Sequence, residues 1–382
     1  MKINENKAGI YIHIPFCRKA CHYCNFHFST SLQQKAAFLQ ALHKELEEQK
    51  SYLNNKSIQS IYFGGGTPSV LSQEELAAIM EIVHTTYHVD ANAEITLEAN
   101  PDDINTTYLQ ELKSIGVNRM SVGIQSFYER DLLWMNRSHT AEQAEKCLQL
   151  IAEAGFEKIT ADFIYGIPML SHSEWIGNIN KVIQFGVNHI SCYALTVEPK
   201  TALQHFIASG KTAGISDQHS AEQFAILTEQ LNANGFEHYE ISNFAKNGAY
   251  ALHTSSYWLG NHYLGVGPSA HSYNGIERKW NIANNALYIQ AVENKLPYSE
   301  IEILTVIQQM NELIMTSLRT MWGLDLNRFK QQFGEQHTST LLHNIQSAEN
   351  NKLLITNENI LTISPEGKFL ADGIISDLFF DD

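Results

Sequence analysis

The sequence predicts an α/β protein whose main part is a TIM-like partial (β/α)6 barrel, and three observations lead to this fold class. From Gly9 to about Val197, short β-branched or aromatic runs alternate with stretches of helical periodicity at intervals of roughly 30 residues. Glycine-rich or polar turns follow those runs. The alternation is typical of βαβ units, which form a parallel sheet with right-handed crossovers. Six units are too few for a closed eight-stranded barrel, so the two folds compatible with this count are an open partial barrel and a doubly wound sheet.

The predicted strands and helices of this region follow one another in strict alternation. The strands are Ile10–His13, Ile58–Phe63, Ala93–Glu98, Arg119–Ile124, Ile159–Ile164 and His189–Leu195. The helices are Gln33–Leu53, Gln73–Tyr87, Thr107–Ile115, Ala141–Ala154 and Glu174–Phe185. Ser72 and Thr140 stand where N-caps of the second and fourth helices are expected. The loops after parallel strands meet at one edge of the sheet, so we expect the candidate site there.

Beyond Pro199 the alternation ends, and we divide the chain into a barrel (1–235), a barrel-flanking segment (236–300) and a C-terminal domain (301–382). In the last part, apolar residues at helical spacing precede a new helix start at Asp325. Two short strands, Leu353–Ile355 and Ile360–Ile363, then form a hairpin, and Pro365 is expected to open a final helix. Helices followed by a hairpin indicate a winged-helix-like α+β domain.

The charge of the chain argues against nucleic acid as a partner. The 382 residues include 26 basic and 41 acidic side chains, for a formal net charge of -15. From Glu300 to Asp382 the chain carries 12 acidic and 5 basic residues, which is the wrong sign for binding phosphate through a winged helix. No apolar run approaches the ~20 residues of a transmembrane segment, and Met1–Lys7 lacks a signal-peptide core. We therefore expect a cytosolic protein.

Three cysteines, Cys17, Cys21 and Cys24, form the most informative motif of the chain. They lie within eight positions after the first predicted strand, so their sulfurs can face one centre. Closed zinc sites and fully ligated clusters normally take four protein ligands, and no fourth cysteine is nearby. Cys147 and Cys192 fall in apolar-periodic segments and are interpreted as buried thiols. Three thiolates on a four-iron cluster leave one iron open for another ligand.

A zinc site is the alternative for this loop. Histidine is a common zinc ligand, and His13, His22 or His27 could complete a set with the three cysteines. The cysteines could also be reduced thiols without any metal. On the spacing alone, these alternatives stay open.

Polar or glycine-rich segments follow the other predicted strands. Three glycines at 64–66 allow the backbone to approach a ligand closely, although an ordinary tight turn also accounts for them. Glu98, Gln125, Arg137 and Asp162 hold comparable strand-end positions in successive units. Singly, each is explained as a surface polar residue; together, they predict a ligand site at the barrel mouth.

Six segments of this chain resemble motifs of the oxygen-independent coproporphyrinogen III oxidase family of radical S-adenosylmethionine (SAM) proteins. They are Tyr11–Cys17, Phe63–Ser69, Glu98–Pro101, Ser121–Phe127, Asn136–His139 and Asp162–Pro168. The resemblance implies that Cys17, Cys21 and Cys24 hold a 4Fe-4S cluster whose open iron is chelated by SAM. It also implies a set of cofactor-binding residues: Tyr11, Tyr23, Gly65, Gly66, Thr67, Glu98, Gln125, Arg137 and Asp162.

Two departures separate the chain from the true oxidases of that family. Phe26 stands where they carry a further cysteine, and only about ten residues precede the first strand, where they have a long extension. Both features resemble the heme-chaperone branch. That branch carries a His-Asn-x-x-Tyr-Trp motif, matched here by His253–Trp258 with Thr254 in place of asparagine. His253 is therefore the first candidate to bind heme, with His262 and His271 as further ones.

The resemblance implies a protein that binds a 4Fe-4S cluster, SAM and heme and that delivers heme to respiratory hemoproteins. Contact with these acceptors would be transient and peripheral to the membrane. The alternative is an oxygen-independent coproporphyrinogen III oxidase, an enzyme of porphyrin biosynthesis, although we expect that activity to be absent. A zinc-bearing interaction protein would need only the cysteine loop and would leave the polar strand ends unexplained.

Overall fold

The computed structural model of the chain describes residues 6–381. The prediction of a missing signal segment depends in part on residues 1–5, which lie outside the described residues, as does Asp382. None of the helices within 6–381 combines the length and the apolar character needed to cross a membrane.

A 12-stranded sheet and a 3-stranded sheet contain the strands. The large sheet consists of β1 (Lys7–Ile14), β2 (Ser57–Gly65), β3 (Val89–Ala99), β4 (Arg119–Gln125), β5 (Lys158–Tyr165), β6 (His189–Ala194), β7 (Phe236–Glu240), β8 (Asn243–Lys246), β9 (His262–Val266), β10 (His271–Tyr273), β11 (Glu277–Asn281) and β12 (Ser299–Ile303). The small sheet consists of β13 (Leu324–Asp325), β14 (Leu354–Asn357) and β15 (Ile360–Ile363).

The helices cover the large sheet and form most of the C-terminal part. They are α1 (Lys35–Glu48), α2 (Gln73–Thr86), α3 (Thr106–Ser114), α4 (Glu129–Trp134), α5 (Ala141–Glu153), α6 (His172–Gln184), α7 (Ala202–Ala208), α8 (Asp217–Ala233), α9 (Leu252–Trp258), α10 (Asn285–Glu293), α11 (Val306–Leu318), α12 (Leu326–Phe333), α13 (Glu335–Asn350) and α14 (Ala371–Ser376).

The order of the strands decides between the two sheet types that the sequence leaves open. Strands β1 to β6 are parallel and adjacent in chain order. A doubly wound sheet would reverse its order at a switch point. Right-handed crossovers that always advance in one direction instead place the helices on one face, so the sheet curves as a partial barrel. The predicted (β/α)6 barrel is confirmed.

Local sequence signals account for these elements. All six predicted strands are present, and five of the predicted helices agree with α1, α2, α3, α5 and α6 within a few residues. Ser72 and Thr140 each accept a hydrogen bond from the third residue of their helix, whose side chain in turn bonds the cap backbone. Such capping boxes satisfy amide groups that would otherwise lack partners.

Two features differ from the predictions. Strands β9 to β12, which extend the sheet beyond β1, have no counterpart among the predicted strands, because each is only three to five residues long and includes polar residues. Pro365 does not open the final helix. Ser364 and Gly367 form a turn there, in which the Ser364 hydroxyl accepts from the Gly367 amide at 3.0 Å, and α14 begins only at Ala371.

Two hydrophobic cores lie beneath these elements. One contains residues between Ala8 and Tyr298, and the second contains residues between Met310 and Leu378. The turn between β7 and β8 joins them, because the Ile241 amide donates to the Arg319 carbonyl at 3.1 Å and the Met321 amide donates to the Tyr239 carbonyl at 2.9 Å. The C-terminal part is thereby held against the barrel mouth.

Candidate cofactor site at the barrel mouth

The loop that carries the three cysteines leaves β1 and is fixed from both sides. The Cys17 amide donates to the Ser29 carbonyl at 3.0 Å, and the Ser29 amide donates back to Pro15 at 2.9 Å. Farther along, the His22 amide donates to the Met135 carbonyl at 3.1 Å. These backbone bonds place all three thiols on a cavity of about 710 Å³ at the carboxyl ends of the strands.

The three thiols of the cysteine loop are not all as close together as the ligands of a single zinc ion. Among the described residues, the one group of three metal-ligating side chains with ligand atoms within 4.8 Å of one another is His172, His219 and Glu222. At least two of the three loop sulfurs therefore lie more than 4.8 Å apart. Zinc with bonds of about 2.3 Å would hold its sulfurs roughly 3.8 Å apart.

The protein also provides hydrogen bonds to two of these sulfurs. Thr67 Oγ1 lies 3.5 Å from Cys17 Sγ, and Arg137 Nη1 lies 3.4 Å from Cys21 Sγ. Burial raises the pKa of Cys17 to about 11 and also raises the pKa of Cys24. Without a metal these groups stay protonated, and donors already in place would stabilise the thiolates that a metal creates.

The histidines proposed for a zinc site have other contacts. His13 Nε2 lies 3.0 Å from the His27 carbonyl oxygen, and His22 Nδ1 lies 2.8 Å from the Trp134 carbonyl oxygen. His27 Nε2 lies 2.7 Å from Asn285 Oδ1. Each imidazole thus has one nitrogen within hydrogen-bond distance of a carbonyl or amide oxygen.

The glycine tract packs directly against the cysteine loop. The Gly66 amide donates to the Ile14 carbonyl at 2.9 Å, and a Cβ on Gly66 would lie 2.6 Å from the carbonyl oxygens of Ile14 and Phe16. Gly65 has φ +98°, and a Cβ there would lie 2.3 Å from the His13 ring. Both glycines are required by this close approach of two backbones.

Two half-buried carboxyl groups face the same cavity. Glu98 accepts from Tyr62 Oη at 2.7 Å and from the Gly65 amide at 3.2 Å, while Asp162 accepts from Ser121 Oγ at 3.2 Å. Burial raises the pKa of Glu98 to about 7. Burial, followed by the neighbouring Glu98 charge, raises the pKa of Asp162 to about 7. A cationic ligand in the cavity would favour the ionised form of both groups.

Arg137 links the cysteine loop to the strand ends. Its Nη2 donates to Asn100 Oδ1 at 2.7 Å and to the Gly123 carbonyl at 3.0 Å, and its Nη1 also reaches Tyr23 Oη at 3.5 Å. Its Nε is buried without a hydrogen-bond partner in the described part of the chain, so one donor remains for a ligand. Gln125, with φ +64°, lines the cavity as well.

Most of the predicted cofactor-binding residues therefore meet at one cavity, but Tyr11 and His253 do not line it. Of the predicted set, the cavity wall contains Cys17, Cys21, Tyr23, Cys24, Gly65, Gly66, Thr67, Glu98, Gln125, Arg137 and Asp162. Tyr11 and His253 are stacked with Tyr62, at centroid distances of 6.1 and 5.0 Å.

His253 is enclosed by hydrogen bonds. Its side chain is 2% exposed, Nδ1 lies 2.8 Å from Ser60 Oγ, and Nε2 lies 2.5 Å from Tyr257 Oη. Burial lowers its pKa to about 3. An iron ligand at His253 would have to break one of these bonds. By contrast, His271 is exposed and stacks on Trp280 with the ring centroids 6.3 Å apart.

The cavity has a second wall that no motif indicated. It includes side chains of the C-terminal part: Arg319, Lys368, Phe369 and Asp372. Arg319 forms an ion pair with Asp372 and lies over the Trp258 ring at 5.1 Å. Burial lowers the pKa of Lys368 to about 8, and its Nζ donates to the His238 carbonyl at 3.0 Å. The sequence feature that came closest to indicating this wall was the group of charged residues within the otherwise apolar helices of the C-terminal part.

Comparison with known proteins shows which proteins this chain resembles in sequence and in fold. Residues 11–182 match the radical SAM superfamily, and residues 304–370 match the HemN C-terminal domain. The heme chaperone HemW of Bacillus subtilis is 32% identical over 95% of this chain and 97% of its own. HemW of Mycobacterium tuberculosis is 31% identical over 97% and 94%. Escherichia coli coproporphyrinogen III oxidase (HemN) superposes with a TM-score of 0.81 at 23% identity, over 98% of this chain and 90% of its own, which shows a shared fold.

Proposed function

The chain belongs to the radical SAM superfamily, in the family that includes HemW and HemN, and from this premise we propose that it is a heme chaperone. It would act in the cytosol and deliver heme to respiratory hemoproteins in transient contacts at the membrane surface. The family implies a 4Fe-4S cluster and SAM. The observation that carries the proposal is the cavity in which Cys17, Cys21 and Cys24 face the carboxyl groups of Glu98 and Asp162 and the guanidinium of Arg137.

In this proposal the three cysteines hold the cluster, which when bound supplies an open iron and an electron for SAM. Glu98 and Asp162 ionise on contact with the positive charges of SAM, because a nearby cation offsets the burial that raises their pKa. Arg137 orients the cysteine loop through Cys21 Sγ and keeps its free Nε–H for a carboxylate. Arg319 and Phe369 of the C-terminal part form one wall of the cavity in which the cofactor would bind.

Heme binding is the part of the proposal that most needs a test. Hemin titrated into the full, anaerobically prepared chain should give a Soret band that is lost or shifted in the variant of the ligand histidine. His253→Ala tests the motif, and His271→Ala tests the exposed imidazole. His343→Ala, an exposed histidine on α13, is the control. Equal spectra for wild type and all three variants would exclude both ligands, and no Soret band in any protein would contradict the chaperone function.

Porphyrinogen decarboxylation should be absent. The side chain at position 26 is a phenylalanine, 68% exposed and on the cavity wall, which cannot supply the thiol present in the oxidases. We expect no vinyl groups when the cluster-loaded protein is incubated with coproporphyrinogen III, SAM and a reductant, while an authentic oxidase in the same buffer produces them. Vinyl formation that disappears in Cys21→Ala would replace the chaperone proposal with the oxidase.

A further inference from the structure

We propose a zinc-binding site formed by His172, His219 and Glu222, on the outside of the barrel between α6 and α8. One ligand atom from each side chain lies within 4.8 Å of the others. None of the three lines the cavity that contains the cysteines. The proposed site is therefore separate from the cluster and does not depend on the proposed function.

The three side chains lie close together because they belong to the first two turns of α6 and α8. His172 is the first residue of α6, and its Nε2 lies 3.3 Å from Glu222 Oε2. His219 and Glu222 are three residues apart on α8, so they project from the same face of that helix. Two imidazoles and a carboxylate are thus presented from two rigid elements.

The surrounding hydrogen bonds resemble those that orient zinc ligands. His219 Nε2 lies 3.0 Å from the Leu170 carbonyl oxygen, so a proton on Nε2 is donated there and Nδ1 keeps a lone pair. Gln218 Nε2 donates to Glu222 Oε1 at 3.0 Å. The other carboxylate oxygen, Oε2, is the one that faces His172. His172 Nε2 is buried and has no hydrogen-bond partner within residues 6–381.

One of the two imidazole rings has to rotate before all three side chains can bind the same metal ion. The rings of His172 and His219 are nearly parallel, at 13°, with centroids 5.1 Å apart, so one metal cannot lie in both ring planes. His172 is 41% exposed and its Nε2 holds no hydrogen bond, so rotation of this ring breaks none. The ion pair with Glu222 is then replaced by bonds from both groups to one cation.

The donor set favours zinc over the other common divalent ions. Imidazole nitrogen suits zinc, copper, iron and nickel, whereas calcium and magnesium prefer sets made of oxygen alone. Two nitrogens and one carboxylate oxygen leave the fourth position of a tetrahedral ion to water. The net charge of -15 adds a general attraction for cations.

A zinc ion here would reinforce one wall of the main cavity. The same face of α8 holds the loop after β5, because Gln223 Oε1 accepts from the Gly166 amide at 2.7 Å and Gln223 Nε2 donates to Leu170 at 2.9 Å. Tyr165 and Phe224, next to these contacts, line the cavity. The proposed ion would therefore stabilise the packing of α6 and α8 behind that wall.

Zinc K-edge X-ray absorption on the full, cluster-loaded chain with one equivalent of zinc tests the proposal. We expect nitrogen and oxygen neighbours at roughly 2.0–2.1 Å and no sulfur shell. Zinc titrations should show at least a tenfold loss of affinity in His172→Gln, His219→Gln and Glu222→Gln. His343→Gln is the matched control, and circular dichroism checks that each variant is folded.

Three results would overturn the site: a sulfur shell, affinity in the three variants equal to that of His343→Gln, or no zinc retained by the wild-type chain. As a second measurement, zinc should raise the midpoint of thermal unfolding of the wild type and of His343→Gln, since a ligand of the native state stabilises it. The same zinc concentration should leave the midpoint of His219→Gln unchanged.

Discussion

The fold changes the acid–base behaviour of Glu98 and Asp162, two of the carboxyl groups at the site. Burial holds the pKa of both carboxyl groups at about 7, well above the ordinary values of roughly 4. In the ligand-free protein they hold protons that the unfolded chain would release between about pH 4 and pH 7. Since the native state binds more protons there, these groups make the free energy of unfolding fall as pH rises through that window.

SAM binding should therefore strengthen with pH. Raising the pH from about 6 to about 8 ionises both carboxyl groups, and the ionised forms attract the positive charges of SAM. Calorimetry of the cluster-loaded protein should show this rise. Glu98→Gln and Asp162→Asn should each weaken binding by about ten- to a hundredfold, the equivalent of one charge-assisted hydrogen bond, and flatten the pH dependence. Unchanged affinity in both variants would remove these residues from the SAM site.

The contrast between Arg137 and His253 shows what the sequence could predict about the site. Arg137 lies in the connection between β4 and α5, and connections that leave parallel strands converge at one edge of the sheet, so its place on the cavity was predictable; its role toward SAM stays a prediction. His253 lies on α9, whose packing against β1 and β2 depends on the whole chain. Its bonds to Ser60 and Tyr257 could not be read from a local motif.

At the scale of elements, the contact between the glycine tract and the cysteine loop should be sensitive to one methyl group. In Gly66→Ala the added Cβ would press on the carbonyl oxygens of Ile14 and Phe16, which are backbone atoms and cannot rotate away. We expect a loss of roughly 1–3 kcal/mol in the free energy of unfolding, as for overpacked cores, together with less iron bound per chain. Urea denaturation and iron analysis measure these two effects.

Gly214→Ala is the control for this variant, because nothing lies within 4 Å of a Cβ at that position. It should match the wild type in both measurements. If Gly66→Ala kept wild-type stability and iron content, the two loops would have to be more adaptable than their contacts indicate.

The strands that could be predicted from the sequence differ in length, burial and composition from the strands that could not. Strands β1 to β6 each combine a run of buried apolar residues with a following turn and helix at regular intervals, which local pattern reveals. Strand β12 exposes Ile301 and Ile303 at 58% and 62%, and β10 has only three residues. Such exposed or very short strands are determined by pairing with a neighbour rather than by their own periodicity.

At the scale of the whole molecule, Arg319 connects the C-terminal part to the barrel. Its Nε lies 4.0 Å from Glu240 Oε1, it pairs with Asp372, and it lies over the Trp258 ring. Arg319→Ala would remove the cation that pairs with the buried Glu240 carboxyl, whose pKa burial already raises, and would leave only the charge of Lys368 near it. We expect the free energy of unfolding to fall by about 2 kcal/mol, because a buried charge that loses its ion-pair partner is costly.

Urea denaturation of Arg319→Ala beside Arg328→Ala checks this expectation. Arg328 is an exposed arginine on α12 and should tolerate the change within about 0.5 kcal/mol. Equal midpoints for the two variants would mean that the backbone bonds at Ile241 and Met321 alone hold the two cores together.

The pairing of β1 with β9 has a consequence for the order in which the protein is made. Strands β2 to β6 each pair with the strand synthesised just before, whereas Ala8 meets His262 only about 250 residues later. At ribosomal rates of roughly 5–20 residues per second, one edge of β1 stays unpaired for on the order of 12–50 s. During that interval the nascent chain offers an open strand edge, and the loop that follows β1 has been translated before the wall beside it exists.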